Sequence, residues 1–282
     1  MKLTHVSDTQ KFAAEIRLYI LKQLTHLGFG HAGGSLSIAD LVAVLYNGEM
    51  NVDPRAPQKP DRDRLIISKG HSGPAFYAAL ALKGFFPMEW LDTLNIGGTN
   101  LPSHTDAHKT PGIDFTTGSL GQGLSPAIGI AYALRFDGRP QYVYAILGDG
   151  ECQEGQIWEA AMAASKYKLD HLICFLDYNK YQLDGSIQEI MPLADVFQKF
   201  QAFGWYTQQI DGHDIKSIIA SIELAKAQQG KPNMIILDTI KGKGCSEFEK
   251  LKHLCHHLHI SKEMSENAMN EINEQLKQLK EI

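Results

Sequence analysis

Two stretches of sequence decide the fold: residues 142–150, YVYAILGDG, and residues 172–179, LICFLDYN. Each opens with a run of β-branched, aromatic and aliphatic residues, which predicts a buried strand, and the first run ends in glycine. Residues 158–168 between them have helical composition, so the chain should return parallel to itself through a helix. The sequence therefore predicts an α/β fold, with a parallel sheet flanked by helices.

Asp149 and Asn179 follow these two predicted strands. The carboxyl ends of parallel strands meet at one edge of a sheet, where α/β proteins bind ligands. Oxygen atoms from a carboxylate, an amide and a backbone carbonyl suit Mg²⁺, which shares its coordination shell with phosphates. Gly148 and Gly150 would let backbone N–H groups approach those phosphates, and the following helix adds its positive N-terminus. The pattern favours a magnesium–diphosphate site over the alternative, a tight turn in which Asp149 caps a helix.

Length and composition narrow the class of protein. The 282 residues allow a sizeable core, and without a repeat or linker we expect residues 1–282 to form a single domain, with residues 245–282 a mostly helical C-terminal extension. The net charge of −5 gives no basic surface for nucleic acid. No apolar run approaches about 18 residues, no secretory leader is evident, and the four cysteines lack C-x-x-C spacing. A cytoplasmic enzyme that binds neither nucleic acid nor membranes is expected.

Other elements are predicted around this pair of strands. Residues 9–27 carry apolar side chains at helical spacing and close at Gly28, and Ser35 or Ser37 should cap the next helix. Residues 97–123 form a long glycine- and proline-rich loop, and such a loop is usually functional. Short strands are predicted at residues 65–67 and 234–237, and helices at residues 76–82, 125–135, 197–203, 215–228 and 261–282.

The residues around Asp149 also resemble a known motif. The order GDGECQEG at residues 148–155, followed by DYNK at residues 177–180, resembles the thiamine diphosphate motif of the transketolase family. The resemblance runs from the first predicted helix to about Gly244, and it implies the family's thiamine-diphosphate-binding fold, the PP domain. Four more segments occur in family order: GHAG at residues 30–33, SKGH at 68–71, PSH at 102–104 and GSLGQG at 118–123.

A set of cofactor contacts is implied by this resemblance. Asp149, Asn179 and the backbone carbonyl of Tyr181 would bind Mg²⁺, or Ca²⁺ or Mn²⁺ in its place. Gly150 would lie against the diphosphate of thiamine diphosphate, and the His71 imidazole would donate a hydrogen bond to a phosphate oxygen. The cofactor-binding residues implied by the resemblance are His71, Gly118, Ser119, Leu120, Gly150 and Asn179.

The resemblance also implies which side chains serve catalysis. His31 and His104 would contact sugar hydroxyls, and Glu154 would join a carboxylate network between the two active sites of a dimer. Each residue also has a purely structural interpretation. His31 could be a helix-end histidine, His104 a solvated loop residue, and Glu154 an acid in the first turn of a helix.

Past Gly244 the sequence departs from the family. The family's tryptophan-histidine-glycine segment is replaced by KHLCHHLH at residues 252–259. His256 is the nearest match to the family's last active-site histidine, and His257 is the alternative. A transition-metal site is a rival interpretation, although its two candidate pairs would lie on different faces of a helix and zinc needs four convergent ligands. Those pairs are His253 with His257 and Cys255 with His259.

The implied function is the transketolase reaction, in which a two-carbon ketol unit passes from a ketose phosphate to an aldose phosphate. The family also needs a glutamate that activates the cofactor and arginines that bind the sugar phosphate, and both lie in a pyrimidine-binding domain. We expect this chain to be the N-terminal subunit of a split transketolase, active with a C-terminal partner in a heterotetramer. The alternatives are a transketolase for a branched or sulfonated sugar, a deoxyxylulose-phosphate synthase-like or 2-oxo acid dehydrogenase component, and a non-catalytic regulatory subunit.

Overall fold

A computed structural model describes the backbone of residues 3–280 and the side chains of residues 5–280, and its centre is a five-stranded parallel sheet. The strands in chain order are β1 Phe29–Gly30, β2 Arg64–Ile67, β3 Val143–Gly148, β4 Leu172–Tyr178, β5 Tyr206–Asp211, β6 Asn233–Asp238 and β7 Leu258–His259. The large sheet has the order β2-β3-β4-β6-β5, and each neighbouring pair is parallel. The predicted α/β fold with a parallel sheet is confirmed.

Helices flank the sheet and provide its connections. They are α1 Leu3–Leu27, α2 Gly33–Leu36, α3 Ala39–Val44, α4 Gly73–Leu82, α5 Leu124–Phe136, α6 Gly155–Lys166, α7 Ile187–Ile190, α8 Val196–Ala202, α9 Ile215–Ala227, α10 Ser246–Leu251 and α11 Lys262–Gln278. The predicted end of the first helix is confirmed. Gly28 has a φ of +86° and its N–H donates to the carbonyl of Leu24 at 2.8 Å, which is a glycine C-terminal cap.

Two apolar clusters cover the two faces of the sheet. Along β3, Tyr144 and Ile146 belong to the cluster that includes α1, α3, α4 and α9, whereas Ala145 and Leu147 belong to the cluster with α5, α6 and α8. All four side chains are fully buried. Because both faces are covered, the strand is apolar throughout instead of alternating, as its sequence indicated.

Two features differ from the sequence-based expectations. Strand β5 was not predicted, because Tyr206–Asp211 reads YTQQID and its side chains alternate between more and less buried positions at the edge of the sheet. The expected cap at Ser35 or Ser37 is wrong, since α3 begins without a side-chain cap. The Ser37 hydroxyl donates instead to Asp177 Oδ2 at 2.7 Å, a residue that is 140 positions away.

The segment after residue 244 is joined to the start of the chain. Ala268 and Ile272 of α11 are buried in the same apolar cluster as α1. Strands β7 and β1 pair antiparallel, with Phe29 opposite His259, and this pairing brings residues 256–259 beside the end of α1. Whether residues 1–282 form a single domain remains a prediction. Within residues 3–280, no helix combines the length and the apolar character needed to cross a membrane.

Candidate active site

The register of the sheet brings the predicted site residues to one edge. Gly148 on β3 lies opposite Asp177 on β4, and Tyr178 on β4 lies opposite Asp238 on β6. The residues that follow these strands, Asp149 among them, therefore emerge side by side at the carboxyl ends. This edge is the usual position of a ligand crevice in a parallel sheet.

A buried carboxylate, Asp177, organises this edge. Its two oxygens accept hydrogen bonds from Lys69 Nζ at 2.5 Å, Ser37 Oγ at 2.7 Å, Asn179 Nδ2 at 2.8 Å and Thr239 Oγ1 at 2.5 Å. Burial alone would raise the pKa of Asp177, but the Lys69 charge and these hydrogen bonds hold it below its usual value. Because the Asn179 amino group is committed to Asp177, the amide oxygen of Asn179 is the atom left for another ligand.

Asp149 is the second buried carboxylate at this edge. It is 2% exposed, and its oxygens accept hydrogen bonds from the backbone N–H groups of Gly150 at 2.8 Å and Lys180 at 2.5 Å. Burial, together with the nearby negative charge of Asp177, raises the pKa of Asp149 to about 7. A divalent cation would relieve both effects, so the electrostatics of the edge suit the metal site predicted there.

The predicted third ligand, the Tyr181 carbonyl, is already hydrogen-bonded to a cation. Lys241 Nζ donates to this carbonyl at 2.7 Å and lies 3.0 Å from His256 Nδ1. The N–H of Tyr181 donates to Asn179 Oδ1 at 3.2 Å, which keeps the two candidate ligands together. Burial lowers the pKa of Lys241 to about 8, so the amine remains mostly protonated at pH 7. A positive charge therefore stands beside the candidate metal site, where an anionic group could pair with it.

These groups line a cavity of about 290 Å³. Lys69 lines this cavity as well as Lys241, but its ammonium group is bonded to the Asp177 carboxylate and the Gly34 carbonyl, whereas that of Lys241 is bonded to the neutral Tyr181 carbonyl and His256. A diphosphate carries several negative charges, and an ammonium group next to a metal site provides matching charge. The predicted site residues that line the cavity are His71, Leu120, Asp149, Gly150, Glu154, Asn179, Tyr181 and His256.

Glu151 fixes the glycine-rich loop against the strand ends. Its Oε1 accepts from the Ser68 hydroxyl and from the Gly121 N–H, the latter at 2.9 Å, and its Oε2 accepts from the Gly148 N–H at 3.0 Å. Glycine is required where the segments meet, because a Cβ on Gly123 would lie 2.5–2.7 Å from atoms of Ser68. Burial raises the pKa of Glu151. One carboxylate thus joins three segments around the cavity.

Five imidazoles cluster at the edge of the cavity. The His31 ring lies 5.2 Å from the ring of His71, 5.8 Å from His104, 5.5 Å from His256 and 4.6 Å from His257, measured between centroids. Burial and neighbouring positive charge lower the pKa of His31 to about 4 and that of His256 to about 3, and they also lower the pKa of His71. These three rings are neutral at pH 7, so they would act on a ligand as hydrogen-bonding groups.

The remaining predicted residues lie farther from the cavity. Gly118 packs against the His104 ring, where a Cβ would lie 3.3 Å from two atoms of that histidine. Ser119 is exposed and is not among the residues that line the cavity. His104 is exposed and is likewise not a lining residue, whereas Glu154 is exposed but does line the cavity. The structure therefore brings the predicted metal and diphosphate residues together, and places Ser119 apart from them.

The rival transition-metal interpretation gains nothing from the structure. Residues 252–255 form a short 3₁₀ turn and not the helix on which that spacing argument relied. Cys255 is buried, with its Sγ donating to the Lys252 carbonyl at 3.0 Å. Across residues 3–280, no group of three or more His, Cys, Asp or Glu side chains is arranged to hold a metal.

Comparison with known proteins identifies the family. Residues 8–259 match the family described as transketolase, thiamine diphosphate binding domain. The chain belongs to the transketolase family. It is similar to the 6-deoxy-6-sulfo-D-fructose transketolase subunit of Clostridium sp. (strain MSTE9), at 55% identity over 94% of this chain and 96% of the relative. It is also similar to one of the subunits of the apulose-4-phosphate transketolase of Actinobacillus succinogenes, at 40% identity over 78% of this chain and 79% of that one.

Solved transketolases share the fold. The Campylobacter jejuni transketolase superposes with a TM-score of 0.88 at 29% identity, covering 97% of this chain and 43% of that chain. The family, the enzyme class and the thiamine-diphosphate-binding fold implied by the sequence motifs are confirmed. This transketolase chain matches nearly the whole length of the sulfofructose relative, which is named as a subunit, and less than half of the solved transketolase.

Four residues of the site were not predicted from the sequence. Lys69, Glu151 and Asp177 all lie inside the motifs that carried the resemblance, but no role was assigned to them. Lys241 follows β6, and its signal was its place after a predicted strand, where a parallel sheet gathers ligand-binding groups.

Proposed function

We propose that this chain is the diphosphate-binding subunit of a two-chain transketolase. In this proposal it holds thiamine diphosphate and Mg²⁺, and it transfers a two-carbon ketol unit from a ketose to an aldose phosphate once a second subunit supplies the pyrimidine-binding half of the site. The observation that carries the proposal is the joint placement of a candidate cation site, the buried Lys241 ammonium group and a cluster of imidazoles around one cavity.

The cofactor site is proposed from the donor set. Asp149, Asn179 Oδ1 and the Tyr181 carbonyl would bind Mg²⁺, an oxygen-only set that this ion prefers. Lys241 would pair with the diphosphate, and Lys69 would hold Asp177 and thereby Asn179 in place. His71 and Gly150 line the same cavity, and Leu120 stands at its exposed side, where the thiazolium ring would lie.

The proposed chemistry divides between cofactor and protein. Thiamine diphosphate supplies a carbanion that attacks a ketose carbonyl and stabilises the two-carbon fragment. His31 and His104 would bind substrate hydroxyls and move protons to and from them, because a neutral imidazole can both donate and accept. His256 is bonded to Lys241 near the diphosphate residues, whereas His257 is exposed and lies nearer to His31. This arrangement favours His256 for the cofactor and His257 for the sugar.

A partner subunit is supported by the outer surface of the two helices that begin at the cavity. The outer sides of α5 and α6 carry large exposed apolar side chains, which a monomeric protein rarely groups together. Leu120 and Glu154 precede these two helices and line the cavity, so both helices begin at the site and carry the apolar side chains toward their far ends. A two-fold dimer of subunit pairs would cover it and bring Glu154 close to the second active site. The exposed side chains are Tyr132 and Phe136 on α5, Met162 on α6, and Tyr167 directly after α6.

The first donor to test is a sulfonated ketose. The relative at 55% identity is named for 6-deoxy-6-sulfo-D-fructose, and the one at 40% identity is named for the branched sugar phosphate apulose 4-phosphate. We propose the former because the similarity is higher and covers nearly the whole chain. Removing carbons 1 and 2 from this hexulose leaves a four-carbon aldose that keeps the sulfonate.

The test is a ketol-transfer assay with both subunits. The chain is mixed with the product of a neighbouring reading frame that encodes a pyrimidine-binding domain, plus thiamine diphosphate, Mg²⁺ and glyceraldehyde 3-phosphate as acceptor. Xylulose 5-phosphate should form from 6-deoxy-6-sulfo-D-fructose faster than from fructose 6-phosphate or apulose 4-phosphate. No ketol transfer from any of these donors would contradict the proposed function, and a preference for another donor would contradict only the sulfonated substrate.

A further inference from the structure

A cluster of hydrogen-bonded polar side chains lies apart from the residues that line the cavity. Arg17 on α1 donates from Nη1 and Nη2 to the two carboxylate oxygens of Asp40 on α3, at 3.1 and 2.5 Å. His213, which follows β5, places Nδ1 2.8 Å from Asp40 Oδ2. Burial would raise the pKa of Asp40, but Arg17 and His213 hold it at about 2, so the carboxylate is ionised at any physiological pH.

The two outer members of this cluster bind the backbone of the loop after β6. His213 Nε2 accepts from the N–H of Ile240 at 2.9 Å, and Arg17 Nε donates to the carbonyl of Lys243 at 3.0 Å. These two hydrogen bonds flank Lys241, whose side chain reaches into the cavity. The cluster therefore holds the loop on both sides of the lysine.

The hydrogen bonds also define the tautomer of His213. A ring nitrogen that accepts a hydrogen bond carries no proton, so Nε2 is unprotonated and Nδ1 bears the hydrogen that faces Asp40. Asp40 thus keeps His213 in the one neutral form that can accept from Ile240. The Ile240 side chain is 43% exposed, so its own packing does little to hold it, and the N–H of Ile240 depends on His213. Farther along the loop, the Gly242 N–H also donates to the carbonyl of Gly33 at 3.1 Å.

We propose that His213 and Arg17 are positioning residues, which hold residues 240–243 in place and thereby direct the Lys241 ammonium group into the cavity. Lys241 is 3% exposed, and both of its hydrogen-bond partners lie on other segments, so a small shift of the loop would separate them. Placement of the lysine is a property of this chain alone. Only the identity of the anion that it meets rests on the proposed function.

Two substitutions of His213 separate its two hydrogen bonds. The amide of glutamine reaches about as far as ring Nε2, so H213Q keeps an acceptor for Ile240. The amide of asparagine reaches only as far as Nδ1, so H213N keeps the contact with Asp40 and loses the acceptor. Both variants remove the ring, and they differ in the bond that holds the loop.

The readout is the accessibility of Lys241 in the full-length chain without cofactor. The chain is treated briefly with acetic anhydride, and the acetylation of each lysine is measured by mass spectrometry of its peptides. Acetylation of Lys241 should rise about tenfold in H213N, as expected when a hydrogen bond that restrains local opening is lost, and should stay within about twofold in H213Q. Lys69, which is 1% exposed, should stay protected, and the exposed Lys262 should react equally in all proteins.

The outcomes are decisive in both directions. A rise at Lys241 in H213N, with rescue in H213Q and continued protection of Lys69, supports the positioning role. An unchanged Lys241 in H213N, an equal rise in both variants, or a parallel rise at Lys69 that signals general unfolding would overturn it. Because no cofactor, substrate or partner takes part, the result is independent of whether the chain transfers ketol units.

Discussion

The residues at the strand ends differ from the outer surface of α5 and α6 in burial. Polar groups at the strand ends are buried and paired within this chain, whereas large apolar side chains on α5 and α6 are exposed. At the strand ends, Asp149 is 2% exposed and Asp177 is fully buried, and both carboxylates are hydrogen-bonded. On α5 and α6, Phe136 is 81% exposed and Met162 is 54% exposed. Buried polar groups are stable only when paired, whereas large exposed apolar groups favour a second surface that covers them. The difference is what we expect of our proposal, in which this chain binds the phosphates and another surface completes the site.

Substitution of Lys69 should have the largest effect on stability, because it removes the cation paired with Asp177 at the strand ends. K69M leaves Asp177 buried without its cation, so the free energy of unfolding should fall by about 3–5 kcal/mol. The matched control is K180M, because Lys180 pairs with Asp238 at the surface, where both side chains are about half exposed. That variant should lose less than about 1 kcal/mol. Urea denaturation measures the free energy of unfolding of both variants. Equal losses would show that the buried Lys69–Asp177 pair contributes no more to stability than the surface pair.

Substitution of Asp149 should separate binding from stability. D149N removes the only carboxylate of the proposed Mg²⁺ ligand set. Loss of a residue that merely contacts a metal ligand lowers affinity by up to about 100-fold, so the affinity for thiamine diphosphate with Mg²⁺ should fall by at least about that factor. The thermal stability of the unliganded chain should not fall in parallel, because the repulsion between Asp149 and Asp177 is also removed. Titration calorimetry measures the affinity, and D184N, at an exposed position of the neighbouring loop, is the control. An affinity within about threefold of the original would place the metal elsewhere.

Binding of Mg²⁺ should also depend on pH. The pKa of Asp149 is raised to about 7 by burial and by Asp177, so a proton occupies this carboxylate below pH 7 and must leave when the metal binds. The apparent affinity for Mg²⁺ should therefore fall up to about tenfold per pH unit below pH 7 and level off above it. Calorimetry at pH 6 in two buffers of different ionisation enthalpy should detect the released proton. An affinity that is constant from pH 5.5 to 8 would contradict the ligand role of Asp149.

Substitution of Phe136 should have the smallest effect on the chain itself. F136E changes an exposed position, so the stability of the isolated chain should change by no more than about 0.5 kcal/mol, and cofactor affinity should be unaffected. Assembly should be lost, since a charge would be buried in the apolar contact. The control is L224E on α9, which is 55% exposed but lies outside α5 and α6. Sedimentation of the mixed subunits compares assembly by the two variants. If F136E still assembled, the α5–α6 surface would not be the subunit contact.

The sequence predicted most of the sheet and part of the site. Strands β3 and β4 are apolar because both faces of the sheet are covered, and a continuous apolar run can be recognised in one sequence without an alignment. Asp149 and Asn179 were predicted because they directly follow these strands. Strand β5 was missed because an edge strand with alternating exposure has no apolar run.

Contacts between distant segments account for what the sequence did not predict. Lys241 reaches the site through a bond to Tyr181, which is 60 positions away, and Ser37 binds Asp177 instead of capping a helix. His256 and His257 approach His31 because the two-residue strands β1 and β7 pair, and such a short pairing leaves no periodic signal. Neither residue could be chosen over the other from spacing alone.

Exchange of the thiamine diphosphate C2 proton for deuterium tests most directly whether this chain supplies only the diphosphate-binding half. We assign the glutamate that activates the cofactor to the partner subunit, so that exchange should depend on the partner. With Mg²⁺, the purified chain should bind the cofactor while the exchange rate, followed by NMR, stays at that of the free cofactor, and addition of the partner should accelerate it. Accelerated exchange by the chain alone would contradict the account.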